Sequence, residues 1–133
     1  MRTAARITVY GSSEHDEQKA LMDWAALHQA RYPELALLFA VPNGGKRDPA
    51  TAARLRGEGV KPGVPDLCLP VPRQGWHGLF IELKYGRNKP SEYQLDWLAR
   101  LTEQGYLAVV AWGWQEAVDV IRDYLGITEA ERA

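Results

Sequence analysis

The stretch that decides the fold is GVPDLCLPVPRQGWHGLFIELK, Gly63 to Lys84. DLCLPV and HGLFIELK are apolar runs of strand length, and the Pro- and Gly-bearing PRQGW between them reads as their turn. Yet these strands carry Asp66, Glu82 and Lys84. A hairpin turning near Gln74 and Gly75 brings together residues whose numbers total 148, which sets Asp66 directly across from Glu82, with roughly 5 Å between Cβ atoms. Side chains alternate along a strand, so Glu82 and Lys84 share a face and Leu83 points the other way. Two acids and a lysine then converge on one spot. Facing carboxylates repel unless something positive lies between them. Lys84 supplies part of that charge, and a divalent cation would supply more. The constellation suits metal-assisted hydrolysis of a phosphodiester, with the lysine holding the attacking water or a phosphate oxygen.

Outward from this hairpin, a helix runs from about Glu14 to Arg31, capped by Ser12 or Ser13 and closed by Pro33. Leu35–Val41, LALLFAV, has strand length. Pro42–Pro49 is a loop, Ala50–Arg56 a short helix, and Gly57–Pro65 a second loop. Ser91–Gln104 reads as a helix, Tyr106–Trp112 as a strand, and Trp114–Tyr124 as a closing helix. Helices interleaved with strands in this order predict an α/β domain, a mixed β-sheet flanked by helices.

The 133 residues amount to a single domain, with its core between about residues 14 and 124. At 46% hydrophobic and 25% charged, the chain is an ordinary globular sequence. Cys68 is the sole cysteine, which rules out an internal disulfide and makes a buried thiol the expectation. His15, His28 and His77 lack metal-ligand spacing. With no signal peptide and no membrane-length apolar run, the expected location is the cytoplasm, of a bacterium or a phage-infected host. The net charge of −1 does not advertise a nucleic-acid partner, but the charges cluster. Lys46, Arg47, Arg54, Arg56 and Lys61 precede Asp66, and Lys84, Arg87 and Lys89 follow it. Exposed cations of this kind contact a DNA backbone without reading sequence.

Pro65-Asp66 followed by Glu82-Leu83-Lys84 resembles the PD-(D/E)XK signature of metal-dependent nucleases with a restriction-endonuclease-like fold. More of the chain agrees. VPNGGKRDPATAARLRGEGVKPGVPDL, residues 41–67, and SEYQLDWLARLTEQGYLAVV, residues 91–110, resemble the virus-type replication-repair nuclease (VRR-NUC) family, in its stand-alone phage or bacterial form. The resemblance implies Asp66 and Glu82 as ligands of Mg2+ (or Mn2+), the backbone carbonyl of Leu83 as a possible third, and Lys84 as the catalytic lysine. Glu14 matches the glutamate that completes the family's metal site, with Glu17 the alternative acid. Glu14 also fits a dipole-favoured first-turn position. Gln18 lies one turn on, on the same helix face. Gln94 matches a glutamine near the active site and equally fits a Ser91-x-x-Gln94 capping box. Asn43, Gly44, Gly45 and Lys46 form a loop that permits close approach to a phosphate, and Lys61 is a further candidate for binding substrate. Stand-alone members act as homodimers on branched DNA, like Holliday-junction resolvases. The implied activity is thus a structure-selective DNA endonuclease of repair, recombination or phage genome processing. Flap, nicking, restriction-like or RNA-directed cutting, or a non-catalytic nucleic-acid-binding module, are the alternatives.

Overall fold

The computed structural model of the protein describes residues 13–42 and 47–132. At its centre is the expected hairpin. Strand β2, Leu67–Leu69, pairs antiparallel with β3, Leu79–Lys84, in the register Leu67 to Ile81, Cys68 to Phe80 and Leu69 to Leu79. Every pair totals 148, so one step further Asp66 stands at the level of Glu82. The turn is a two-residue loop with positive φ at both Gln74 (53°) and Gly75 (86°), the type I′ pattern that matches strand twist. Arg73 and Trp76 pair across it, one number out of step with the strands. Pro70, Val71 and Pro72 on one side face only His77 and Gly78 on the other, so a bulge there absorbs the extra residue.

The bulge and turn are anchored on the helix Trp114–Leu125. The Tyr124 hydroxyl donates to the Val71 carbonyl at 2.6 Å, and Gln74 Nε2 donates to the Asp123 and Tyr124 carbonyls at 2.7 and 2.9 Å. Arg73 completes the tie with a 2.6 Å ion pair to Glu34. A one-residue slip would exchange the faces of every β2 side chain, and these contacts oppose it.

Around the hairpin, β1 (Phe39–Ala40) pairs antiparallel with β2, and β4 (Leu107–Trp112) pairs parallel with β3, giving a four-stranded mixed sheet in the order β1-β2-β3-β4. Helix α1 (Glu14–His28) precedes the sheet, and α2 (Pro49–Gly57) lies between β1 and β2. Helix α3 (Glu92–Glu103) connects β3 to β4, and α4 (Trp114–Leu125) and the short α5 (Glu129–Arg132) close the chain. Leu67, Leu69, Leu79, Ile81, Leu83 and Ala111 line one sheet face and pack with Leu21, Trp24 and Ala25 of α1 and Ala117, Val118 and Ile121 of α4. Helix α3 packs on β4 but gives nothing to that core, which places it on the opposite face, with Glu82 and Lys84.

Two sequence expectations need correction. The run 35–41 is not one strand. Pro33–Leu37 is a 3₁₀ helix, and only Phe39–Ala40 is extended. Its buried residues, Leu35 and Leu38, recur every third position, which is the 3₁₀ period and not the strand's alternation. Helix α1 ends at His28 and not Arg31, because the Arg31 and Tyr32 N–H groups turn back to the His28 carbonyl ahead of Pro33.

Glu17, the alternative acid, has a structural task. It is buried, and its Oε1 accepts from the Trp114 N–H at 2.9 Å, at the start of α4, whose N-cap residue Gly113 has no side chain to cap it. A carboxylate at a helix N-terminus satisfies an orphan donor and meets the positive end of the helix dipole. Glu17→Ala is expected to lower the unfolding free energy by about 1–2 kcal/mol, with Glu17→Gln recovering most of it, as read from urea denaturation midpoints.

Candidate active site

The site forms where the end of β3, the residue before β2 and the start of α1 meet. Asp66 is fixed by the backbone: the Leu83 N–H donates to its Oδ2 at 2.8 Å. Glu82 is 1% exposed. Its Oε2 lies 3.3 Å from Lys84 Nζ, and its Oε1 is buried with no hydrogen-bond partner among the described residues. Lys84, also buried, stands between two acids, since Glu14 Oε2 is 4.0 Å from the same Nζ. Ser13 caps α1 through the Asp16 N–H at 3.1 Å, so Glu14 lies in the first turn, pointing at the end of β3.

One participant escaped the sequence reading. Asn88, in the turn after β3, donates to Glu14 Oε2 at 3.1 Å, while its own carbonyl accepts from Trp112 Nε1 at 2.8 Å. An asparagine in a Gly-Arg-Asn-Lys turn is an unremarked turn residue in sequence; only folding brings it to Glu14, 74 positions away.

The electrostatics are strained. Burial, then the charge of Asp66, pushes the Glu82 carboxyl up from 4.5 to about 8, against the pull of Lys84. Burial also raises Asp66, against the Leu83 N–H that favours its charged form. Two carboxyls this close do not both ionise readily, so without a cation the pair retains a proton near neutrality.

These features fit a hard divalent cation. An orphaned buried carboxylate oxygen facing a second carboxylate is a donor set that magnesium takes, with waters filling the remaining positions. Among the described residues, no three His, Cys, Asp or Glu side chains are gathered closely enough to hold one ion together. The protein offers two convergent acids, and Glu14 reaches the site through Lys84 and Asn88.

Other expected residues fall as follows. Gln94 forms the capping box of α3 with Ser91, its Oε1 accepting from the Ser91 N–H at 2.8 Å. Gln18 is half-buried, and its side chain makes no hydrogen bond within the described residues. Lys61 is exposed on the loop leading to β2. Asn43, Gly44, Gly45 and Lys46 lie outside the described residues. No helix among the described residues is long and apolar enough to cross a membrane.

The mixed sheet with helices on both faces, the acid before β2, and the Glu-x-Lys on β3 define a restriction-endonuclease-like domain of the PD-(D/E)XK class. The VRR-NUC domain family matches residues 12–114. A solved structure named as a VRR-NUC domain protein is 30% identical, with a TM-score of 0.75 over 88% of this chain and 91% of that one. No curated protein matches the sequence. The chain belongs to the VRR-NUC family, whose domain is a nuclease of the PD-(D/E)XK type, a superfamily that typically uses divalent metals.

The raised Glu82 carboxyl makes stability depend on pH. Unfolded, the group loses its proton near 4.5; folded and metal-free, it keeps it to about 8. The folded state therefore binds more protons between those values, and the stability this contributes is full below 4.5 and lost as pH rises to 8. In EDTA, the urea midpoint is expected to fall across that window. Glu82→Gln should flatten the slope and gain on the order of 1–3 kcal/mol at pH 8.

Proposed function

We propose that this domain is a divalent-metal-dependent DNA endonuclease that cuts branched DNA as a homodimer. The observation that carries the reading is the pairing of half-buried Asp66 with buried Glu82, one Glu82 oxygen having no hydrogen-bond partner among the described residues and Lys84 lying beside it. In this reading Asp66 and Glu82 hold Mg2+ or Mn2+, with the Leu83 carbonyl as a third donor and Glu14 as the third acid, on the Lys84 side. The ion supplies Lewis-acid polarisation of the scissile phosphate and a more acidic bound water.

The protein's own residues do the rest. The Leu83 N–H orients Asp66. The proton that burial and the charge of Asp66 keep on Glu82 would be displaced by a cation held there. Lys84, held between Glu82 and Glu14, presents Nζ to the attacking water or to a phosphate oxygen on which charge develops. Asn88 keeps Glu14 beside Lys84. Helix α2 buries no residue, and it carries Arg54 and Arg56 exposed to solvent. With Lys61, Arg87 and Lys89 they can neutralise phosphates without reading bases.

The homodimer gains support from the open edge of β4. Its six residues, LAVVAW, carry no charge, and it pairs only with β3 among the described residues. In the parallel ladder Leu107, Val109 and Ala111 bond inward, so the N–H and C=O groups of Ala108 and Val110 turn outward. Such an edge is a template for a second strand. Two-fold pairing about Val109 places both Lys84 side chains on one face of a continuous sheet, roughly 25 Å apart by strand spacing and rise. Val110→Lys should yield a monomer in sedimentation equilibrium, with the wild type a dimer.

Cleavage of a labelled four-way junction, beside flap, duplex and single-stranded DNA and RNA controls, tests the activity. With Mg2+ or Mn2+ the junction is expected to be cut, and EDTA to abolish cutting. Asp66→Ala, Glu82→Gln and Lys84→Ala should each lose at least about 100-fold. Cutting of another substrate in place of the junction overturns the branch selectivity alone. DNA binding without cleavage under either metal overturns the enzyme reading.

A further inference from the structure

Four of the five tryptophans have a place in the fold. Trp24 stacks on His28 under Arg122, Trp76 packs against the core, Trp112 donates to Asn88, and Trp114 is buried. Trp97 does not. It is half-buried on α3, with no hydrogen bond to its indole N–H and no ring partner among the described residues.

Trp97 instead lines a groove of about 320 Å³, together with Val41, Pro42, Val60, Lys61 and Val64. The walls are apolar and the lip is basic. Among the described residues Lys61 makes no ion pair, and Arg56 and Arg47 are exposed nearby in the chain. The groove adjoins the catalytic acids. Val64 lies two residues before Asp66, and the Val41 N–H donates to the Asp66 carbonyl at 2.7 Å. Its wall is also held in place. Gly63, at φ 92°, seats the 59–64 loop so tightly on α3 that a Cβ there would lie 2.7 Å from the Tyr93 backbone. The volume is at the small end for ligand pockets, suited to a single planar group and far too small for a duplex.

We propose that this groove receives one unpaired nucleobase of the DNA substrate, stacked on the Trp97 indole, with Lys61 on the adjoining phosphate. The inference rests on the nuclease reading above and names the feature of the substrate that is recognised. An apolar slot with a cationic lip complements a flat base attached to a polyanion. Every base has a π-face, so the site senses unpairing and not sequence. A base in a continuous duplex stays stacked within the helix, whereas one at a branch or flap can leave it.

The test places 2-aminopurine, in turn, at each unpaired position of a flap or junction oligonucleotide and follows its fluorescence as the full chain binds in EDTA. Quenching is expected at one position, next to the scissile phosphate. Trp97→Ala should abolish it and weaken binding of the branched DNA about 5- to 100-fold, the range of one base–aromatic stack. Duplex binding should be unchanged, and Trp97→Phe should restore most of the loss. An abasic nucleotide at the same position should weaken wild-type binding equally and have no further effect on Trp97→Ala. Should Trp97→Ala not fold, the abasic penalty on the wild type and the Trp97→Phe value still decide. Equal binding of intact and abasic DNA by the wild type, or an undiminished abasic penalty in a folded Trp97→Ala, overturns the groove. Either result can coexist with metal-dependent cleavage, and a stacked base without cleavage would instead overturn the nuclease reading, so the two failures are distinct.

Discussion

The arrangement of the site depends on one hydrogen bond, from the Leu83 N–H to Asp66 Oδ2. It turns an acid that lies just outside β2 back against β3, at the level of Glu82. Without it, Asp66 would be free to swing away from Glu82 and relieve the repulsion between them. With it, the two carboxyls are held where burial raises both, the charge of Asp66 adding to the rise of Glu82 and that of Glu14 to the rise of Asp66. The bond can persist only if β2 and β3 keep their register. That dependence gives the far end of the hairpin its importance: the bulge at Pro70–Pro72, the two positive-φ turn residues, and the Tyr124, Gln74 and Arg73 anchors together prevent a slip.

Much of this was legible because strand alternation and turn chemistry are local signals. The expected total of 148 is met in the strands, but a strict count back from the Gln74–Gly75 loop totals 149, as at Arg73 and Trp76, and the intervening bulge is what brings Asp66 to the level of Glu82. Helix ends with strong caps, such as Ser13 and Ser91, were also plain. The illegible parts share a physical character. LALLFAV has the composition of a strand, and only the burial of Leu35 and Leu38 distinguishes a 3₁₀ turn. Glu14 and Glu17 are equivalent first-turn acids in sequence; the position of α4 decides that Glu17 caps Trp114 while Glu14 faces Lys84. Gln94 fits two readings in sequence, and the structure uses its side-chain oxygen in the cap. Asn88 enters through a contact across 74 residues that no local pattern encodes.

The two faces of the sheet divide the work. Leu67, Leu69, Leu79, Ile81 and Leu83 point to one side, where α1 and α4 complete an apolar core. The same strands, by alternation, send Glu82 and Lys84 to the other side, where α3 packs on β4. A buried carboxylate without a partner costs on the order of 1–3 kcal/mol or more. A domain of this size has little stability to lose. The core face must therefore be well filled for the other face to hold unfavourable charge, and its largest residues there are fully buried.

This division also explains why Lys84 is more than a counter-ion. A lysine that only neutralised Glu82 would leave the pair balanced and the Glu82 carboxyl near its ordinary value. Instead Glu82 remains raised with Lys84 3.3 Å away, because burial and Asp66 outweigh that single charge. The site needs one positive charge more than the chain supplies in its centre, and Lys84 is drawn partly aside by Glu14. A cation held by Asp66 and Glu82, as proposed above, would meet that deficit and leave Nζ no longer the sole neutralising group. The electrostatic imbalance and the chemistry proposed for Lys84 thus have the same origin, in a register that holds two acids together more closely than one lysine can compensate.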